Sequence, residues 1–410
     1  MIKLLIIADD FTGALDTGVQ FASRGISTRV IVEHEDGCWT DSDAVVLVID
    51  AETRHLPGEQ AYKLVYCITK QAVDAGIPYL YKKTDSALRG NIGSELTAFL
   101  RASGEGELPF LPAFPQMNRV VKGGVLYIDG VPVSESVFGR DPFEPVTKSG
   151  VREIIAQQSG MCAENIIVYD TETREDMEEI LKGLKQGGRC RILAGCAGCA
   201  QLLPEILELE GSPRKEISLP GKLLVMCGSV NPITRRQLDY GERQGMKRIY
   251  FSNCQKLVPS YWESEEGRQT MEMFFQAARQ NRCLIIDSND SLQDKPAMEY
   301  AREQNISLEE MRKRIAESMG AVTKQMLALG VEHLLFMTGG DTLFGFMNAM
   351  QMNELEPLWE ISPGCVLTKF TYGESPRYVI SKSGGFGPET LLEDIISKLP
   401  EEEENEKRGN

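Results

Sequence analysis

The stretch KLLIIADDFTGALDTGVQFA, Lys3 to Ala22, decides how the rest of the chain is read. Its first part is an apolar run of strand length with β-branched residues in it. In its second part Leu15, Gly18, Val19 and Ala22 fall at i, i+3, i+4 and i+7, which predicts a helix over 13–24 with one packing face. A strand entering a helix through Asp9-Asp10-Phe11-Thr12-Gly13 is the opening of a βα unit. The same alternation continues outward. Strands are predicted at 3–9, 28–33, 44–50, 79–84, 108–113, 165–169 and 190–194, and helices at 13–24, 57–75, 90–102 and 173–186. Short apolar strands alternating with helices imply a mostly parallel sheet covered on both faces.

At 211–221 the segment GSPRKEISLPG has the proline, glycine and charge of a linker. The alternation then restarts, with strands at 222–229 and near 248–252, 283–287 and 333–337, and helices near 231–244, 263–280 and 307–329. Extended segments at 365–371 and 376–382 and a closing helix at 388–398 complete it. The expected fold class is therefore α/β in two lobes, each a mostly parallel sheet flanked by helices: an N-terminal domain over 1–210 and a C-terminal domain over 222–399. Residues 400–410, PEEEENEKRGN, are expected to be a disordered acidic tail. One segment breaks the plan. VLYIDGVPVSES, 125–136, alternates about Asp129-Gly130 and predicts a hairpin.

With 42% hydrophobic and 25% charged residues over 410, the composition is that of a folded globular chain. Lys and Arg number 44 against 60 Asp and Glu, a net charge of −16. Such a surface repels phosphate backbones, so nucleic acid is not an expected partner, and an anionic ligand has to be drawn in by a local group of cations. No apolar run approaches the ~20 residues of a membrane span, and no small-residue cleavage site follows the first strand, so a cytoplasmic protein is expected. The 10 Cys lie mostly in apolar segments, as reduced core residues do. Cys196 and Cys199, the one close pair, have no second pair to complete a zinc site, and small neighbours favour packing.

In open parallel sheets ligands sit beyond the carboxyl ends of the strands. After 3–9 come two adjacent carboxylates, Asp9 and Asp10. A helix cap explains one of them, whereas the hydroxyls of a polyol would use both, and one carboxylate can act as general base towards a hydroxyl. After 79–84 come Lys83, Asp85, Ser86 and Arg89. Lys82 and Lys83 point to opposite faces, Asp85 lies in a turn, and Arg89 is placed at the start of the next helix, where a guanidinium suits a carboxylate ligand. Asn118 and Arg119, after 108–113, offer a further donor pair, and FGRDP (138–142) another. The second lobe supplies glycine turns at strand ends: CGSVNP (227–232) with Ser229, Thr338-Gly339-Gly340-Asp341-Thr342 and KSGGFG (382–387). Bare amides at a helix N-terminus suit an anion, and Asp341 beside phosphates calls for a bridging Mg²⁺. Neither GxxxxGK[ST] nor GxGxxG occurs.

Taken in order, IADDFTGALDTGVQFA (7–22), KTDSALRGN (83–91), VLYIDGVPVSES with RDPFEPVTKS (125–149), CGSVNPITRRQ (227–237), TGGDT (338–342), SPGCVL (362–367) and KSGGFG (382–387) resemble the motifs of the four-carbon acid sugar kinase family along the whole chain. The resemblance implies ATP- and Mg²⁺-dependent phosphorylation of the terminal hydroxyl of threonate, erythronate or an oxo-tetronate. It places the sugar acid on the N-terminal lobe, ATP on the C-terminal lobe and the active site in the interlobe cleft. It implies that Asp9, Asp10, Arg54 and Arg89 meet substrate, with Asp10 as the catalytic carboxylate, and that Lys83 and Asp85 belong to the same motif. Ser229, Gly339, Gly340, Asp341, Thr342, Gly384, Gly385, Phe386 and Gly387 would meet ATP. Where relatives often read Asn-Gly-Arg-Thr this chain has MNRVV (117–121), a departure at Asn118 and Arg119. A homo-oligomer is compatible with this reading.

Two rivals stand beside the kinase. An aspartyl-phosphate hydrolase would need a second Asp where Phe11 stands. A sugar-acid sensor with a non-catalytic nucleotide lobe would have no use for three intact glycine turns.

Overall fold

Leu4–Ala8 form strand β1, every residue of it buried. Asp10, extended at φ −149° and ψ 156°, ends the strand segment and caps helix α1 (Phe11–Ala22) by accepting from the Gly13 N–H at 3.1 Å. In this computed structural model, residues 1–32, 38–141, 144–159, 164–213, 216–291, 295–383 and 385–401 are described. Gly384, residues 214–215 of the linker and residues 402–410 of the tail lie outside them. The chain divides into two units, Met1–Arg214 and Lys215–Asn410.

The first unit continues with β2 (Thr28–Val32), β3 (Val46–Asp50), α2 (Gly58–Asp74), β4 (Tyr79–Lys83), α3 (Ile92–Ser103) and β5 (Leu108–Leu111). A small sheet of β6 (Arg119–Lys122), β7 (Val125–Ile128) and β8 (Val131–Pro132) interrupts it. Then follow α4 (Val151–Ser159), β9 (Ile166–Val168), α5 (Arg174–Gln186), β10 (Ile192–Gly195), α6 (Ala197–Ala200) and α7 (Leu203–Ile206). The main sheet runs β2-β3-β1-β4-β10-β5-β9, parallel throughout. The chain leaves β1 towards β2 on one side and leaves β4 towards β5 on the other. A crevice therefore opens between the carboxyl ends of β1 and β4, the topological switch point at which such sheets bind ligands.

The small sheet differs from the predicted hairpin. Asp129 (φ 51°) and Gly130 (φ 80°) do make the turn, but only Val131 and Pro132 pair beyond it. Pro132 has no N–H for the ladder, and Ser136 bonds its own neighbours, donating to the Val133 carbonyl at 2.6 Å and accepting from Phe138 N–H. The longer partner of β7 is β6, joined through Gly123-Gly124. Arg89 does not open a helix either: Leu88 (φ 62°) and Gly90 (φ 83°) are left-handed, and α3 starts only at Ile92.

The second unit has β11 (Leu223–Cys227), α8 (Pro232–Arg243), β12 (Lys247–Tyr250), α9 (Asn253–Leu257), α10 (Glu265–Gln280), β13 (Cys283–Asp287), α11 (Ala297–Glu303), α12 (Leu308–Ala328), β14 (Leu334–Thr338), α13 (Gly340–Met350), β15 (Glu354–Ser362), β16 (Cys365–Tyr372), β17 (Ser375–Lys382) and α14 (Leu391–Ile396). Strands run β12-β13-β11-β14-β17-β16-β15, parallel through β17, with β16 and β15 antiparallel. β11 and β14 again send the chain to opposite sides, so the switch point lies between them. Leu223, Val225, Ile285, Phe336, Leu367 and Ile380 form the core under α14, which adds Leu391, Leu392 and Ile395. Burying each such side chain contributes about 1.5–3 kcal/mol. No helix among the described residues is long and apolar enough to cross a membrane.

Candidate active site

At the β1–β4 switch point of the first unit the two carboxylates of Asp9 and Asp10 share the same cations. The Arg54 guanidinium donates from Nε (2.8 Å) and Nη2 (2.7 Å) to Asp9 Oδ2, and reaches Asp10 with Nη1 (2.8 Å) and Nη2 (2.6 Å). Lys83 Nζ lies 3.0 Å from Asp9 Oδ1 and 3.2 Å from Asp10 Oδ1. Lys82, one residue earlier, turns to the opposite face and pairs with Glu95 of α3 at 2.7 Å. Burial by itself would raise the Asp9 carboxyl, but the Arg54 and Lys83 charges overturn that and hold it well below the usual range. Burial would likewise lower Lys83, and Asp9 and Asp10 hold it charged.

Lys83 reaches this point because residue 13 is glycine. A Cβ there would stand 1.9 Å from Lys83 Nζ.

The β4–α3 loop adds a second pair. Asp85, 6% exposed, binds Arg89 through both oxygens (2.9 and 3.0 Å) and lies 3.7 Å from Arg54 Nη2. Burial would raise the Asp85 carboxyl, yet Arg89 and Arg54 hold it well below its usual range. Arg89 also reaches Asp141 at 3.3 Å. The guanidinium groups of Arg89 and Arg119 each lie 5.2 Å from the Phe138 ring. Arg119 Nη1 donates to Ser86 Oγ, and no ion pair joins Arg119 to any carboxylate among the described residues. Asn118, exposed and left-handed at φ 53°, shapes the turn into β6, where its carbonyl accepts from Asp129 N–H at 2.9 Å.

In the second unit the glycine turns meet around the β11–β14 switch point. Gly228 follows β11 and Gly339 follows β14; the Gly228 N–H donates to the Thr338 carbonyl at 3.3 Å. Gly339, at φ 93°, opens α13 in a conformation that side chains resist, and a Cβ on Gly228 would come 2.1 Å from Thr342 Oγ1. Ser229 Oγ accepts from Asn231 N–H (3.3 Å), Asn231 caps α8 through Ile233 N–H, and the Asn289 amide donates to the Ser229 carbonyl at 3.1 Å. The residues on either side of Gly384 are tied to the same place: Gly339 N–H donates to the Lys382 carbonyl, and the Gln237 amide donates to the Phe386 carbonyl at 3.0 Å. Gly385 and Gly387 flank Phe386, the latter at φ 86°. Asp341, in the first turn of α13, pairs with Arg312 at 2.9 Å.

Several residues of this second constellation have no role assigned from the sequence, although Lys382, Asn231 and Gln237 stand within the motifs quoted above. Lys382 is the clearest. It is buried at the end of β17, with Nζ bonded to Thr234 Oγ1 (3.1 Å) and the Ser383 carbonyl (3.0 Å), and burial pushes its ammonium down to about 8. Asn231, Gln237 and Asn289 are polar residues in otherwise regular helix or loop segments, and only the fold shows that they converge. In the first unit, Asp50 and Glu52 escaped notice in the same way.

Comparison with known proteins bears on what this pair of sites serves. Residues 4–165 match the model of a sugar-binding N-terminal domain, and residues 224–392 that of a nucleotide-binding C-terminal domain. A D-threonate kinase of Salmonella typhimurium is 30% identical, over 97% of this chain and 99% of its own. The chain belongs to the four-carbon acid sugar kinase family. A D-erythronate kinase of Heliobacterium modesticaldum is 26% identical over 94% of each chain. A crystal structure of a Salmonella typhimurium protein superposes with a TM-score of 0.75 at 21% identity, covering 97% of this chain and 99% of that one, and so shares the fold. Within the family's two-domain plan, the paired carboxylates occupy the sugar-binding domain and the glycine turns the nucleotide-binding domain.

Proposed function

We propose that this chain transfers the γ-phosphoryl group of ATP to the terminal hydroxyl of a four-carbon sugar acid such as threonate, erythronate or an oxo-tetronate. The observation that carries this is the group of Asp9, Asp10, Arg54 and Lys83 at the switch point of the unit that matches a sugar-binding domain. Carboxylates set beside buried cations accept hydrogen bonds from several hydroxyls at once, as a polyol requires. The names of the relatives support the four-carbon acid.

Within that site Asp10, the more exposed of the pair, orients the acceptor hydroxyl. Arg54, Lys83, Asp85, Arg89 and Asn118 frame the sugar chain. Arg119 takes the substrate carboxylate, because the other cations of the cluster already face Asp9, Asp10, Asp85 or Asp141. In the nucleotide unit Ser229, Gly339, Gly340, Thr342, Gly385, Phe386 and Gly387 hold the phosphates through amides and hydroxyls at the start of α13 and along 385–387. Gly384 belongs to the same motif.

A magnesium ion suits the donors present. Mg²⁺ takes one or two carboxylates and fills its shell with phosphate oxygens and water. Asp341 is a single carboxylate in the first turn of α13 with its side chain 58% exposed, and the described residues hold no group of three or more acidic, His or Cys ligands. Bound with ATP at Asp341, the ion would neutralise charge on the β- and γ-phosphates.

The test is ADP release by the purified chain with ATP and each of a panel of four-carbon acids. ADP should appear only when both are present. Release that is independent of the acid, or confined to acids of other lengths, would overturn the assignment.

A further inference from the structure

Beside the Asp9–Asp10 group lies a second acidic pair that the proposed function does not use. Asp50 ends β3, directly beside Ala8 of β1, and is fully buried. Its Oδ1 accepts from the Glu52 N–H at 3.2 Å, while its Oδ2, also buried, meets no protein donor. Glu52 is left-handed at φ 44°, a strained conformation for a glutamate. That turn brings its side chain back over the N-terminus of α1, where Oε1 accepts from Phe11 N–H at 3.1 Å, two residues before the amide that Asp10 caps. The 51–54 segment is held there by Ala51 N–H to the Ala8 carbonyl (3.0 Å) and Arg54 N–H to the Asp9 carbonyl (3.1 Å).

Asp10 and Glu52 therefore stand side by side at one helix end with opposite surroundings. Asp10 is bound by both Arg54 and Lys83, so its two oxygens already accept from cations. Glu52 has a backbone amide as its donor. The charged and titratable groups facing it are Asp50, Asp10 and, farther off, Arg54. Glu52 is exposed as a residue, while its carboxyl is drawn in against Phe11 N–H and Asp50.

We propose that Glu52, backed by the buried carboxyl of Asp50, is the carboxylate that takes the proton from the acceptor hydroxyl. This rests on the kinase reading above. In the step, the hydroxyl oxygen bonds to the γ-phosphorus of ATP, the bond from that phosphorus to the β-bridging oxygen breaks with its electron pair leaving on ADP, and the hydroxyl proton moves to Glu52. Asp50 keeps its own proton and donates it in a hydrogen bond to Glu52, which fixes the glutamate without adding a second negative charge. Burial first, and then the Glu52 charge, raise the Asp50 carboxyl well above its usual range; burial also raises Glu52.

The experiment is a pH–rate profile of the full chain with ATP and the acid that supports turnover, for wild type, Glu52→Gln and Asp50→Asn. Glu52→Gln should lower kcat by about a hundredfold or more, leave both KM values within about threefold, and abolish the acid limb of the kcat profile. Asp50→Asn should keep that limb at its wild-type position, because an amide replaces a neutral acid. Should Glu52→Gln fold poorly, Glu52→Asn tolerates the left-handed backbone and serves instead. Glu52→Gln retaining more than about a tenth of kcat with the acid limb unchanged would overturn the proposal. So would an acid limb that moves down by about a pH unit in Asp50→Asn, because it would mean that Asp50 is ionised. A wild-type chain that turns over no four-carbon acid sinks the kinase reading and the base with it, whereas a wild type and a Glu52→Gln variant that turn over alike sink the base alone.

Discussion

Lys83 occupies the space that a side chain on Gly13 would need: a Cβ on the glycine would come 1.9 Å from the lysine Nζ and 2.4 Å from Asp10 Oδ1. The first turn of α1 and the end of β4 are thereby close enough for one ammonium to bridge Asp9 and Asp10. In Gly13→Ala the ammonium has to move, at an overpacking cost of about 1–3 kcal/mol. The variant should lose most of its turnover of the sugar acid while its nucleotide affinity, measured by calorimetry, stays within about twofold of wild type. Equal loss of both would show that α1 itself had shifted.

Arg54 is the main counter-charge of the cluster. Arg54→Met leaves Asp9 buried and under-compensated and should cost about 3–5 kcal/mol at neutral pH by denaturant unfolding. The pH dependence has a definite sign. The Asp9 carboxyl is depressed in the folded state, so its contribution is complete above the unfolded carboxylate range near 3.9 and fades as pH falls towards the folded value. The stability gap between wild type and Arg54→Met should therefore narrow below about pH 4. A gap that stays constant to pH 2 would contradict the pairing.

Arg119 is proposed to take the substrate carboxylate. Arg119→Leu should raise KM for the acid by about tenfold to a hundredfold, the worth of one charged hydrogen-bonded contact, with little change in KM for ATP. An uncharged four-carbon polyol, if it is phosphorylated at all, should be indifferent to the substitution. Steady-state kinetics with both acceptors would separate a carboxylate contact from a packing role at Phe138.

Lys382 should leave a mark on stability at alkaline pH. Its folded value near 8 lies below that of a free lysine, so between the two the unfolded chain binds more protons and this group makes stability rise with pH. Lys382→Met removes that rise. The difference in unfolding free energy between wild type and variant should thus change between pH 8 and about pH 10, in favour of wild type as pH increases. A difference that is flat across this window would mean the ammonium is not buried as described.

Much of the architecture is legible in the sequence. The strand after strand of apolar residues, each followed by a helix, placed β1, β3, β4, β11, β13 and β14 within a residue or two, because burial on both sheet faces demands an unbroken apolar run. β15 was not legible: Glu354, Pro357 and Glu360 give it the composition of a loop. Arg89 was misplaced on α3 because nothing local marks Leu88 as left-handed. Asp9, Asp10 and Lys83 stood out since each follows a strand at a point where ligands gather, whereas Asp50 and Glu52 read as an ordinary strand end.

Local order in this protein follows from the residues alone: hydrophobic period separates strand from helix, and glycine and aspartate mark where one passes into the other. Which charges meet is a different matter. Arg54 lies 44 residues from Asp10, and Lys83 lies 73 from it; only strand order brings them within 3.2 Å of its carboxylate. An ion pair depends on distance in space, and a one-dimensional pattern carries that distance only for neighbours.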